Sequence, residues 1–153
     1  MRKNLGAEEL GDVLKRPLLA ILATNYPDGT TLLSPVWHEW RDGGFTIVVF
    51  DDDAKARAVK RDPRVSVVVA DTELPCAGVE VRGTVQIVPT EPDLAPLRRM
   101  AERYMGAQRG NAFIDTIDPA SQLTLRLVPG LLRSWDFADE PSFSPTAPEF
   151  ERA

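Results

Sequence analysis

The sequence has 153 residues and a formal net charge of -5. This length suits one domain with a buried core, and the acidic balance argues against nucleic-acid or anionic-membrane binding, which needs Lys and Arg spread over a wide surface. The single cysteine, Cys76, excludes an internal disulfide. Neither a secretory signal nor an apolar run of about 20 residues is present. We therefore expect a cytoplasmic protein that binds neither nucleic acid nor membrane.

The first part of the chain predicts one short helix and three antiparallel strands. Apolar residues at helical spacing indicate a helix over Ala7–Lys15, which Pro17 stops. Apolar and β-branched runs then predict strands over Leu18–Thr24, Thr31–Trp40 and Phe45–Phe50. Two Gly-containing turns separate these strands, so consecutive strands pair as hairpins.

A short basic helix comes next. Asp53 is suited to cap a helix over Ala54–Arg61, and Pro63 ends it. A helix N-terminus carries free N–H groups and a partial positive charge, to which Lys55 and Arg57 add formal charges. This arrangement predicts either a phosphate-binding site or an ordinary solvated basic face.

The remaining chain predicts four strands and two helices. Period-2 alternation or continuous apolar runs place strands over Val65–Ala70, Val79–Ile87, Leu123–Val128 and Leu132–Phe137. A helix with an apolar stripe extends from Thr90 to Gly106, and a shorter one includes Ala112–Ile117. Gly83 marks a bulge or a close approach of two backbones.

These elements predict a mainly β fold with short helices, an antiparallel closed or split barrel of six to seven strands. Residues 1–137 form the predicted domain, and the Pro-rich residues 138–153 form a tail that is disordered or lies on a partner.

No nucleophile or metal motif is present in the sequence. Phosphate-loop, dinucleotide-loop, CxxC and HExxH patterns are all missing, and we predict no metal site. The run Asp51 to Asp53 is interpreted as a helix cap and a solvated loop. His38 has no Ser or Cys partner in a catalytic order, so a structural role is the preferred interpretation. The catalytic residues stay unknown at this stage.

The ordered motifs resemble the pyridoxamine 5'-phosphate oxidase-like family, whose members are split β-barrels that bind flavin or the deazaflavin coenzyme F-420. The resemblance covers roughly residues 8–137. Its four pieces are LAILAT with PDG (residues 19–29), SPVW (34–37), KAR with RDPRV (55–65) and VEVRGTV (79–85).

The resemblance implies an FMN-binding split-barrel fold, a homodimer, and a cofactor in a groove between the two chains. The cofactor-binding residues implied in this way are Ser34, Pro35, Val36 and Trp37 at the ring, Phe50, Lys55, Ala56 and Arg57 along the phosphate-bearing chain, and Trp135 toward the partner's cofactor.

The SPVW strand and the RDPRV segment are more similar to the branch of the family that uses coenzyme F-420. The implied activity is an oxidoreductase that passes hydride from reduced F-420 to a small unsaturated substrate. An FMN-dependent oxidoreductase of the same fold and a cofactor carrier without turnover are the alternatives. Asp51, Asp52 and Asp53 depart from the family pattern and would repel a phosphate unless they turn outward, so a barrel that has lost its cofactor is also an open hypothesis.

Overall fold

Two antiparallel β-sheets form the body of the protein, and the computed structural model describes residues 1–143. Within these residues the strands are β1 Arg2–Lys3, β2 Ala20–Asn25, β3 Thr31–Val36, β4 Glu39–Arg41, β5 Gly44–Phe50, β6 Arg64–Ala70, β7 Ala77–Thr84, β8 Gln86–Val88, β9 Gln122–Leu127 and β10 Leu131–Asp136. The α-helices are α1 Ala54–Arg61, α2 Ala95–Met105 and α3 Ala107–Ile114. Most of the predicted tail lies outside the described residues, so the domain boundary stays a prediction.

The larger sheet has the strand order β1-β10-β7-β6-β2-β3, and the smaller has the order β4-β5-β9-β8. All neighbouring strands are antiparallel, which confirms the predicted mainly β class. Alternate residues from both sheets point inward and share one apolar core, in which Leu22, Phe45, Val67 and Leu125 are almost fully buried. A second cluster beneath α2 and α3 includes Met100.

The described residues contain ten strands rather than six or seven, because two predicted strands change sheet midway. Residues 31–36 pair with β2 in the large sheet, whereas residues 39–41 pair with β5 in the small one. Likewise, the strand predicted over Val79–Ile87 is β7 in the large sheet and β8 in the small one. Such corners join two sheets around a common core. The remaining additional strand is the two-residue edge strand β1.

The expected close approach at Gly83 is present. A Cβ atom at this position would lie 3.0 Å from Leu127 Cδ1 and 3.1 Å from the Val128 carbonyl oxygen. Both contacts belong to the segment that leaves β9 and returns to the large sheet. Glycine therefore lets the segment between β9 and β10 pass close to β7.

Three helix predictions were wrong in their extent, and one of them is the helix predicted from Thr90, which begins at Ala95. The helix predicted over Ala7–Lys15 is only a 3-10 turn, Ala7–Leu10, because Gly11 adopts a φ of 64° and ends it. The helix predicted to include Ala112–Ile117 begins at Ala107, directly after α2. Gly110 lies inside this helix because α2 and α3 touch there: a Cβ would lie 2.6 Å from the Ala101 carbonyl carbon.

Candidate functional site

A cleft of about 240 Å³ lies where β3 and β5 end and the helices begin. The strands contribute one wall, α1 contributes Lys55, and α2 and α3 contribute the other wall. Its lining is predominantly apolar and aromatic: Pro35, Val36, Trp37, Val48, Val49, Phe50, Lys55, Leu97, Phe113, Ile117 and Gln122. Clefts with apolar walls and few polar groups are typical of small-molecule sites.

Trp37 is the best-fixed aromatic residue of the cleft. Its ring stacks on Tyr104 with centroids 5.0 Å apart and planes 5° apart, and meets Phe113 edge-on at 6.1 Å. The Tyr104 hydroxyl donates a 2.5 Å hydrogen bond to the Leu18 carbonyl, and burial raises the pKa of this phenol. Tyr104 is therefore anchored to the backbone, and it holds Trp37 in a defined orientation.

Among residues 1–143, Lys55 is the one ionisable side chain that lines this cleft. Its ammonium pairs with the carboxylate of Asp53, the N-cap of α1. Asp53 also accepts a 3.3 Å hydrogen bond from the Lys55 backbone N–H. The hydrogen bond from the Lys55 ammonium is the main reason that the pKa of Asp53 is lowered. The cleft thus presents a cation that already has a counter-ion.

Two further basic residues of α1 also contact the acidic loop before the helix. Lys60 donates a 2.6 Å hydrogen bond to the Asp51 carboxylate, and the Arg57 guanidinium donates to the Asp52 carbonyl oxygen. The basic residues of the helix therefore fold back onto the preceding loop. The acidic run is partly neutralised by its own helix, which the sequence interpretation did not foresee.

The structure brings together five of the nine residues that the sequence predicted for the cofactor site. These five line the cleft: Pro35, Val36, Trp37, Phe50 and Lys55. Phe50 keeps 54% of its surface exposed, so its ring is accessible for contact with a ligand. The remaining four lie elsewhere, and none of them is among the lining residues.

These four residues occupy different surroundings. Ser34 lies on β3 opposite Leu22, and Ala56 is completely buried in the core. Arg57 is exposed on the outer side of α1. Trp135 lies on β10 in the large sheet, opposite Gly78, and the Arg133 guanidinium carbon lies 5.4 Å from the centroid of its ring. Their binding roles stay predictions, and that of Trp135 requires a second chain.

Sequence reasoning missed the wall formed by α2, α3 and the segment after them. Leu97, Phe113 and Ile117 carry no local signal, because apolar residues at helical spacing ordinarily indicate core packing. Only the fold shows that they face β3 and β5 across a cleft.

His38 does not contribute to this cleft. Its ring is fully buried, Nε2 lies 3.1 Å from the Leu18 carbonyl oxygen, and Phe45 packs against it edge-on. Burial lowers its pKa to about 4, and the nearby Arg103 charge acts in the same direction. These contacts support the structural interpretation of His38. Among residues 1–143 no group of three metal-ligating side chains comes together.

A larger cavity of about 540 Å³ lies on the outer face of the large sheet. Arg64 and Arg82 are its charged lining residues. Arg64 forms hydrogen bonds of 2.9 and 2.8 Å with Asp62, and Arg82 forms one of 2.7 Å with Glu80. Both guanidinium groups are thus paired within the protein, and no aromatic ring lines this cavity. The smaller cleft is the better candidate for a planar ligand.

Comparisons with known proteins agree with this geometry. A solved structure named "F420 Reductase" is 30% identical, with a TM-score of 0.67, over 79% of this chain and 93% of that one. A conserved hypothetical protein from Mycobacterium tuberculosis is 26% identical, with a TM-score of 0.74, over 98% of this chain and 96% of that one. An FAD- and heme-binding protein from Mycobacterium smegmatis, at 15% identity and a TM-score of 0.71 over 98% of this chain and 77% of that one, shares the fold.

No curated protein is similar enough to this sequence to count as a match. None of the helices within residues 1–143 is long and apolar enough to cross a membrane. The family model described as "Pyridoxamine 5'-phosphate oxidase" matches residues 7–127, which is most of the chain. The match includes β2 to β9 and the helices that form the cleft, and the chain belongs to the pyridoxamine 5'-phosphate oxidase family.

Proposed function

We propose that the protein is an oxidoreductase that binds reduced coenzyme F-420 in the cleft and transfers hydride to a small unsaturated substrate. The observation that carries this proposal is the cleft itself, with aromatic residues Trp37, Phe50 and Phe113 in its lining and one ammonium, Lys55. Aromatic walls suit a planar tricyclic ring, and an ammonium suits a phosphate. The 30% identity to a protein named "F420 Reductase" supports the deazaflavin rather than another ring.

The chain's own residues bind and orient the cofactor, and they exclude water from the cleft. When bound, the reduced deazaflavin supplies the hydride, so the protein needs no nucleophile of its own. Trp37, held by Tyr104, offers a rigid apolar surface against which the ring can be oriented. Because Lys55 is the one ionisable group in the lining, we infer that a proton for the product comes from solvent.

We further propose that the protein works as a cytoplasmic homodimer. The large sheet leaves apolar side chains exposed on its outer face, including Leu33 at 63% and Leu131 at 57%. Pro35 lies on this face of β3 and also lines the cleft, whereas Trp135 lies on β10, toward the opposite edge of the sheet. A two-fold axis along the strands would place β10 of one copy over β3 of the other. Trp135 would then approach the partner's cleft.

An FMN-dependent oxidoreductase is the second candidate, because the same aromatic walls and ammonium would serve either cofactor. A carrier without turnover is the third, and the scarcity of ionisable groups in the cleft favours it. The first experiment is an absorbance spectrum of the purified protein, followed by fluorescence titration with F-420 and with FMN. Tight, saturable binding of F-420 alone supports the proposal, and binding of FMN alone supports the second candidate. Binding of F-420 without reduction of any screened substrate would support the carrier.

The same titration tests the role of Lys55. Lys55→Ala should weaken F-420 binding roughly tenfold or more, since a charge-assisted contact is worth about 1.5 to 3 kcal/mol. Lys60→Ala is the matched control, because Lys60 lies on the same helix but not in the cleft. Arg57→Ala tests the family-derived role of Arg57 separately. Equal affinity of wild type and the folded Lys55→Ala variant would contradict the assignment of Lys55.

A further inference from the structure

The first turn of α1 contains both the cation of the cleft and an internal anion. The Asp53 carboxylate pairs with the Lys55 ammonium through one oxygen and accepts the Lys55 backbone N–H through the other. An incoming phosphate at this end of the helix would use these same donors. Asp53 therefore occupies the position in which the family resemblance expects the phosphate of a cofactor.

This ion pair is more shielded than the neighbouring pair on the same helix. The Lys55 and Asp53 side chains are 18% and 29% exposed, whereas those of Lys60 and Asp51 are 43% and 50% exposed. Water and salt screen partly buried charges less than exposed ones. Asp53 is thus a stronger competitor for Lys55 than a flexible surface carboxylate would be.

We propose that Asp53 is a specificity-determining residue of the cleft, whose carboxylate competes with the phosphate group of the ligand for Lys55. The inference rests on the proposed function, since it requires a cleft that takes a phosphate-bearing cofactor. Asp53 must release Lys55 before that phosphate can bind, so the phosphate contributes less affinity than it would at an unpaired lysine. A ligand with the same ring but no phosphate does not compete with Asp53.

The test compares ligand pairs that differ in the phosphate. Dissociation constants of FMN and riboflavin, and of F-420 and its phosphate-free deazaflavin, are measured by fluorescence titration at one ionic strength. Asp53→Asn removes the charge but keeps an N-cap residue of equal quality. We expect this variant to bind the phosphate-bearing member of the preferred pair roughly tenfold tighter or more. Its affinity for the phosphate-free member should change by less than about twofold.

Asp52→Asn is the matched control. It removes the same formal charge one residue earlier, and the Asp52 side chain forms no ion pair within the described part of the chain. We expect it to change phosphate-dependent affinity by less than about threefold, as for a screened surface charge. Asp53→Ser provides a second capping variant, and circular dichroism verifies that each variant is folded.

The outcomes separate the inference from the proposed function. Equal tightening by Asp53→Asn and Asp52→Asn would contradict the inference, because it would be a general effect of net charge. Binding of the ring compounds by the wild type, with no tightening in Asp53→Asn, would overturn the inference and leave the proposed function intact. If no protein binds any of the four compounds, both are overturned.

Discussion

At the scale of single residues, burial decides the charge of His38. Its Nδ1 atom is buried without a hydrogen-bond partner, so a proton placed there would be neither solvated nor paired. The histidine is therefore neutral in the folded protein, with a pKa near 4, while it titrates near 6.5 in an unfolded chain. Between these values the unfolded state binds more protons, and stability is lost as the pH falls.

We predict that the free energy of unfolding falls between pH 6.5 and pH 4 by roughly 3 kcal/mol from His38, taking about 1.4 kcal/mol for each unit of the shift. Carboxylates with lowered pKa values, such as Asp71 and Glu80, lose their contribution below their ordinary values of 3.8 and 4.5. Urea denaturation at pH 7, 5.5 and 4.5 measures the decline. His38→Gln should flatten it, and an unchanged slope in that variant would rule out His38 as its source.

Residue-scale patterns also explain which parts of the site could be predicted from the sequence. The motif SPVW and the basic residue Lys55 lie in short segments, and five residues from such segments do line the cleft. The ion pair between Lys55 and Asp53 was not predicted, because two residues near each other in sequence can turn apart or together at a helix start. The sequence interpretation treated the acidic run as repulsion toward a phosphate, whereas the structure pairs Asp51 and Asp53 with lysines of α1.

At the scale of elements, strands were easier to predict than their ends. Period-2 alternation marks a strand, but in the sequence it continues when the chain passes from one sheet to another, as between β7 and β8. The start of α3 was missed for a different reason. Gly110 has a low intrinsic helix propensity and so gives no helix signal, although it is the residue that allows α3 to touch α2.

This contact predicts that Gly110→Ala destabilises the protein, whereas helix propensity alone predicts that it stabilises it. In an isolated helix, Gly→Ala would stabilise by about 1 kcal/mol. At Gly110 the new Cβ would meet the backbone of Ala101 and Glu102 at 2.6 to 2.7 Å. We expect Gly110→Ala to destabilise the protein by roughly 1 to 3 kcal/mol, as overpacking does. Gln108→Ala, exposed on the same helix, should change stability by less than about 0.5 kcal/mol.

The two variants are compared by thermal and urea denaturation. Stabilisation by Gly110→Ala would contradict a close contact between α2 and α3 at this position. Because α3 carries Phe113 into the lining of the cleft, separation of the helices should also weaken cofactor binding. Gln108→Ala should leave both properties unchanged.

At the scale of the whole molecule, the outer face of the large sheet exposes apolar side chains on both sides of its width. One cross-strand row spans five strands and ends in exposed leucines: Leu33, Ala23, Ser66, Arg82 and Leu131. Strands are about 4.8 Å apart, so the two leucines are separated by roughly 19 Å. A surface of this width, with Arg82 as the one charged residue of the row, supports the proposed homodimer.

We predict that Leu33→Glu combined with Leu131→Glu converts the proposed dimer to a monomer. Burying an exposed leucine contributes about 1.5 to 3 kcal/mol, so the loss of two in each chain should raise the dissociation constant by roughly 100-fold or more. Ile87→Glu is the matched control, because Ile87 is 49% exposed but lies on β8 of the small sheet. Sedimentation velocity over a range of concentrations measures the change. A wild-type monomer, or equal dissociation by Ile87→Glu, would contradict an interface on the large sheet.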